Sequence, residues 1–332
     1  MERLIGRSGE LPIEGHFPSL GGATEWLNSP PLDAEGLRGK VVVVDFCTYT
    51  CINWLRSLPS VRAWAQAYED RGLVVIGVHT PEFSFEHDVE NVRRALKEME
   101  VRYPVVVDND HAVWDAFANN YWPALYFIDG EGRIRHHRFG EGDYEGSEII
   151  IQQLLRDAGA EDVSDELAPV DARGPEVAAD WENLESPEAY LGSRRAQNFD
   201  SSERSGWGEH RSDEATRPLR RNHWTLSGNW TMTPEAVVLN EANGRITFRF
   251  HARDVHLVMG PAAHGTPVPF RVSIDGASPG SARGIDVDED GSGLLDEQRM
   301  YQLIRQQGPI DDRTFEIEFL DAGAEAFAFT FG

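Results

Sequence analysis

Residues 41–54 read Val41-Val42-Val43-Val44-Asp45-Phe46-Cys47-Thr48-Tyr49-Thr50-Cys51-Ile52-Asn53-Trp54. The run Val41 to Phe46 is β-branched and nearly all apolar, the pattern of a central strand covered on both faces. It follows the turn-like Arg38-Gly39-Lys40. Beyond the loop, Ile52, Leu55, Leu58, Val61, Ala65 and Tyr68 recur at helical spacing over residues 52–70, with Gly72 as a stop and Pro59 expected to kink the helix. A buried strand therefore enters a helix through a short polar loop, and both cysteines of the chain flank that loop.

Outward from this stretch the pattern alternates. An apolar run Leu73 to Val78 is followed by a helical stretch from Ser84 to Met99, a short strand Val105 to Val107 and a helix around Val113 to Phe117. Strands Ala124 to Ile128 and Arg133 to Phe139 and a helix from Ser147 to Ala158 complete the set. The order β-α-β-α-β-α-β-β-α predicts a mixed sheet flanked by helices over residues 1–160. Residues 161–222 turn to Asp, Glu, Arg, Ser, Pro and Gly with isolated aromatics Trp181, Tyr190, Phe199 and Trp207, and read as an irregular connector pinned at intervals. From 223 to 332 short alternating runs recur, at Arg245 to Phe250, Asp254 to Val258, Val268 to Ile274, Thr314 to Phe319 and Ala326 to Phe331. Their spacing predicts an all-β sandwich, jelly-roll-like, with Phe327, Phe329 and Phe331 on one face.

Acidic residues outnumber basic ones 56 to 31, for a net charge of -25, and only Lys40 and Lys97 are lysine. Such a chain repels phosphates and anionic headgroups, so nucleic acid and membrane surfaces are not expected as partners. The N-terminal stretch has no apolar core of signal-peptide length, and nothing reaches the roughly 18 apolar residues of a membrane span, so a cytoplasmic location is expected. Two cysteines in 332 residues make no disulfide scaffold, and their four-residue separation at Cys47 and Cys51 reads as chemistry.

The segment from Gly39 to Asp129 resembles the thioredoxin superfamily, at its TlpA-like and ResA-like end. Asp45-Phe46 resembles the strand end that carries a buried proton-relaying aspartate there; Cys51 falls at the nucleophile position, and Pro59 at the kinking proline of the active-site helix. Trp122-Pro123-Ala124 looks like the cis-proline loop that faces the cysteine. Nearly the whole chain is similar to the C-terminal periplasmic region of DipZ-type proteins, a thioredoxin-like domain followed by a carbohydrate-binding-module-like β-sandwich. The segments that carry this likeness are 48–53, Gly77 to Phe83, Tyr121 to Ala124, Ser186 to Gly192 and the ending Phe329-Thr330-Phe331-Gly332. The resemblance implies thiol-disulfide exchange with a protein or small-molecule substrate and no required cofactor.

One departure is sharp. The family pattern Trp-Thr-Tyr-Thr-Cys-Ile-Asn-Cys stands here as Cys47-Thr48-Tyr49-Thr50-Cys51-Ile52-Asn53-Trp54, so Trp and Cys have traded places and the usual CxxC is replaced by Cys-x-x-x-Cys. Cys51, at a helix N-terminus, is the expected nucleophile, since the partial positive charge there favours a thiolate. Cys47 is either its resolving partner or a small buried hydrophobe. Asp45 is either a proton acceptor or a satisfied buried carboxylate. Trp54 either packs in the core or caps the site beside the substrate, where Tyr121, Trp122 and His79 are also candidates. His79 either joins the two thiols around a soft metal such as Cu, Zn or Hg or closes its strand. Thr48 to Cys51 also matches the Thr-x-x-Cys of peroxidases, and a non-catalytic interaction module is a further alternative. In the β-domain Asp286, Asp288 and Asp290, with Gly291 at the turn and Glu297, fit a calcium-loop spacing; the alternative is a solvated hairpin turn.

Overall fold

The structure, a computed structural model, describes residues 11–332 except 34, 201–208, 213–217 and 264. The chain divides into two units between Glu176 and Val177, inside the segment read as a connector. The first unit is built from β1 (Gly15–His16), β2 (Glu25–Leu27), β3 (Val41–Cys47), α1 (Ile52–Tyr68), β4 (Leu73–His79), α2 (Val89–Glu98), β5 (Val105–Val107), α3 (Ala112–Ala116), β6 (Ala124–Ile128), β7 (Arg133–Phe139) and α4 (Tyr144–Asp157).

All seven residues of β3 are buried, as a strand covered on both sides requires. It lies in the middle of a seven-stranded sheet of order β1-β7-β6-β3-β4-β5-β2, parallel to β4 and antiparallel to β6. This mixed sheet with flanking helices is the arrangement that the alternating pattern predicts. Val42, Val44 and Phe46 face a core shared with Ile76, Val78, Val106 and with Val113 and Phe117 at α3. The alternate positions of β3, which include Asp45 and Cys47, therefore face the other side, where α1 and α4 pack. The edge strands β1 and β2 escape a periodicity reading because two or three residues show no alternation. The helix read over 84–99 breaks at Asp88, which is extended (φ -74°, ψ 111°) and accepts the amide of Glu90 at 2.9 Å; a 3-10 turn, Ser84–His87, precedes it.

The second unit is all-β: β8 (Ala189–Tyr190), β9 (Glu209–Ser212), β10 (Trp224–Met232), β11 (Val237–Leu239), β12 (Gly244–Phe250), β13 (Asp254–Pro261), β14 (Val268–Ile274), β15 (Ser292–Leu295), β16 (Arg299–Arg305), β17 (Arg313–Phe319) and β18 (Ala324–Phe331). The first half of β10, Trp224 to Ser227, pairs with β12, and the second half, from Gly228 onward, pairs with β9 and β11. Gly228 stands at the changeover with φ 100°, and a Cβ there would come within 2.9 Å of the Gly244 Cα. One strand thus serves both layers of a sandwich, which closes over Trp224, Trp230, Phe248, Phe270, Phe315 and Phe329.

One expectation is corrected here. Phe327 does not share a core face with Phe329 and Phe331: the β13–β18 pairing skips from Ala328 to Ala326, and this bulge changes parity, so the core takes Ala324 and Ala326 before it and Phe329 and Phe331 after it. The stretch read as a connector is pinned near two of its aromatics: Tyr190 lies on β8, which pairs with β18, the Phe199 ring packs 4.5 Å from Trp224, and Leu191 is fully buried. Trp181 is exposed, and Trp207 lies outside the described residues.

Candidate active site

Three segments meet around Cys51. The first is the turn from β3 into α1. The Cys51 amide donates to the Thr48 carbonyl at 3.1 Å and its carbonyl accepts from the Leu55 amide at 3.0 Å, which makes Cys51 the N-cap of α1. Its backbone is extended (φ -73°, ψ 113°), and α1 has no acidic residue in its first turn and no side-chain cap. The second segment is the loop before β6, where the Trp122–Pro123 peptide bond is cis and the Trp122 carbonyl lies 3.9 Å from Cys51 Sγ. The Gly140 amide donates to the Pro123 carbonyl at 2.9 Å and ties this loop to the end of β7. The third is the stretch 80–87 after β4, joined to β3 by the Thr80 amide on the Cys47 carbonyl at 2.9 Å.

Both cysteines are free thiols. Cys51 is partly exposed; Cys47, the last residue of β3, is 1% exposed. Burial pushes the Cys47 thiol up, and the negative charges of Asp45, Cys51 and Glu86 push the same way. Asp45, two residues earlier on the same face, is fully buried. Its Oδ2 accepts the indole N–H of Trp54 at 2.9 Å and the hydroxyl of Tyr103 at 3.4 Å, while Oδ1 has no partner among the described residues. Burial raises its carboxyl to about 7 against those two hydrogen bonds. Tyr103 reaches Asp45 past Gly77, which pairs with Asp45 across the sheet; a Cβ on Gly77 would stand 3.3 Å from the Tyr103 ring.

The candidate residues separate on inspection. Cys51, Trp122 and Pro123 come together, with Cys47 and Asp45 on the α1 side of the sheet. Trp54 is 1% exposed and turns its indole to Asp45, so it presents no surface to a substrate. Tyr121 is exposed beside the cis bond and stacks on Phe139 at 4.8 Å. His79, the cross-strand neighbour of Cys47, is fully buried, stacks on Tyr49 at 5.6 Å and is held neutral by burial, its imidazole lowered to about 3. Among the described residues no three His, Cys, Asp or Glu side chains group to hold a metal. In the second unit Asp286 pairs with Arg299 at 2.8 Å, and Asp288 accepts the amides of Asp290 and Ser292 at 3.0 and 2.8 Å as a turn cap. Asp290 is exposed, and Glu297 contributes backbone contacts to the Tyr301 hydroxyl.

Glu86 was not among the candidates. It is fully buried; its Oε1 accepts the Thr50 hydroxyl at 2.6 Å, and its Oε2 accepts the amides of Glu82 and Phe83 at 2.7 and 2.9 Å. The only signal in the sequence is a glutamate three residues after a helix-entering position, the spacing of a capping box.

Residues 28–137 match the family model described as AhpC/TSA family, and residues 186–332 the model described as thioredoxin like C-terminal domain; together they cover more than half of the chain. Protein DipZ of Mycobacterium bovis is 38% identical over 260 residues, 76% of this chain and 36% of that one, so the chain spans about a third of that relative's length. Thiol-disulfide oxidoreductase YkuV of Bacillus subtilis is 29% identical over 145 residues, 44% of this chain and 97% of that one. A solved structure described as a thioredoxin-like protein in the oxidized form is 30% identical, with a TM-score of 0.40, over 43% of this chain and 96% of its own. No helix among the described residues is long and apolar enough to cross a membrane. With its buried strand-end aspartate, its helix-capping thiol and its facing cis-proline, the first unit is thioredoxin-like, and the chain is similar to the TlpA/ResA-like end of the thioredoxin superfamily.

Proposed function

We propose that the first unit catalyses thiol-disulfide exchange with Cys51 as nucleophile and Cys47 as resolving thiol, an atypical Cys-x-x-x-Cys pair. The observation that carries this reading is the pairing of a partly exposed helix-capping thiol with the Trp122–Pro123 loop 3.9 Å away, preceded by a second thiol at the end of β3 and a buried carboxyl raised to about 7. The Cys51 thiolate attacks one sulfur of a substrate disulfide and expels the other as a thiolate, leaving a mixed disulfide. Cys47 then gives its proton to Asp45 and attacks Cys51 Sγ; the substrate sulfur leaves as a thiolate, and the chain holds a Cys47–Cys51 disulfide. The substrate gains the two electrons that the chain loses, and an external dithiol restores the pair. Exposed Tyr121 and Phe139 border the site and suit a polypeptide substrate.

Cys47→Ser should trap Cys51 as a mixed disulfide with an oxidised peptide. The wild type should release the reduced peptide and yield a Cys47–Cys51 disulfide on peptide mapping. Oxidised wild type that carries a stable Cys51 sulfenic acid, with Cys47 still alkylatable after denaturation, overturns the paired mechanism and favours the peroxidase alternative.

A further inference from the structure

Glu86 lies outside the chemistry just described, yet it is wired into the loop that performs it. Its carboxylate receives three donors, the Thr50 hydroxyl on one oxygen and the Glu82 and Phe83 amides on the other. Thr50 is 1% exposed and directly precedes Cys51. No cation among the described residues pairs with Glu86. A fully buried carboxylate without a counter-ion carries a large desolvation cost, like that of one ion of a buried pair. The donor set explains why a carboxylate stands here all the same. A glutamine could hold the two amides on its oxygen only by turning its NH2 group to Thr50, whose hydroxyl oxygen would then accept and whose own proton would need another partner. An aspartate is one methylene too short to span both.

The loop 48–51 is also held by buried Tyr49, whose ring stacks on His79 at 5.6 Å and meets Phe85 edge-on at 6.1 Å, and by the Thr48 carbonyl on the Cys51 amide, while no side chain caps α1. The Glu86 bridge therefore joins the cysteine turn to the stretch after β4, a segment that the hydrogen bond from Thr80 to Cys47 already anchors to the sheet.

We propose that Glu86 is a positioning residue for the thiol chemistry: through Thr50 it fixes the cysteine turn so that Cys51 Sγ stands against the Trp122–Pro123 loop. The proposal rests on the exchange reading above. Burial pushes the Glu86 carboxyl up while Thr48, Thr50 and Phe83 act against that rise, in keeping with a site whose donors favour the charged form.

The test is the rate at which Cys51 of the full chain enters a mixed disulfide with an oxidised model peptide, in a Cys47→Ser background so that one step is read. Thr50→Val keeps the shape and removes the hydroxyl; Thr50→Ser keeps the hydroxyl. Thr50→Val and Glu86→Met, which keeps the length of the side chain but removes both acceptor oxygens, should each slow the step roughly tenfold to a hundredfold, the cost of a reacting atom displaced by about an ångström. Thr50→Ser should stay within about threefold of the parent, and the double variant Thr50→Val/Glu86→Met should be no slower than the slower single one, since both cut the same link. Thermal melting of each variant separates loss of fold from loss of position. A folded Thr50→Val that reacts at the parent rate overturns the positioning role and leaves the exchange reading standing. Failure of the parent itself to form the mixed disulfide, indistinguishable from Cys51→Ser, overturns the exchange reading and the positioning role with it.

Discussion

Asp45 has an ordinary value of 3.8 that burial carries to about 7, opposed by the Trp54 and Tyr103 hydrogen bonds. Between those values the folded chain holds a proton that the unfolded chain has released. The associated stability is present below pH 4 and is lost as pH rises through 7. Asp45→Asn keeps an acceptor for the Trp54 indole and removes the charge. It should therefore be more stable than wild type at pH 8, by at most about 4 kcal/mol, with the difference shrinking towards zero at pH 4 in denaturant melts. A pH-independent difference would show that the carboxyl is not the source. Cys51, Asp45 and Pro123 were legible in the sequence because each sits in a local motif a few residues long. Glu86 was not, because the Thr50 hydroxyl it serves is 36 residues away in the chain, and no periodicity reports such a contact. Trp54 was legible as an aromatic on the first turn of a helix, but only the fold shows that it spends its indole N–H on Asp45.

At the level of elements, long apolar strands such as Val41–Cys47 and Val268–Ile274 could be read almost to the residue, whereas breaks inside a pattern could not. The bulge at Phe327 and the switch of partners at Gly228 depend on what the neighbouring strand does, which the strand's own sequence does not carry. The acidic run before β15 is a case where one spacing serves two chemistries. A carboxylate that caps a turn and one that binds calcium both favour Asp, and here Asp288 holds two amides while Gly291 adopts φ 83°, where a Cβ would meet the Val272 carbonyl oxygen at 2.2 Å. Asp288→Ala should cost about 1 kcal/mol, as loss of an Asp cap does, and equally in EDTA and in calcium chloride. A loss that appears only with calcium would restore the calcium loop.

For the whole molecule, the sequence change near residue 160 suggests a domain end that the contacts do not respect. Glu148 on α4 accepts the Ala168 amide at 2.6 Å as well as the Trp64 indole and the Tyr68 hydroxyl, Gln152 donates to the Glu166 carbonyl, and Arg62 on α1 pairs bidentately with Glu176. A chain ending at residue 160 should therefore melt lower than one ending at 176 by about 3 kcal/mol, two or three partly buried hydrogen bonds to charged groups. Equal melting would place the end of the first unit at 160. The two thiols also divide the molecule's time scales. Cys51 meets reagents at once, whereas Cys47, 1% exposed at the end of the central strand, meets them only when β3 opens. In the reduced protein, one sulfur reports the surface and the other keeps a record of every excursion from the native state, so the slow labelling of Cys47 is a clock for the opening of the central sheet.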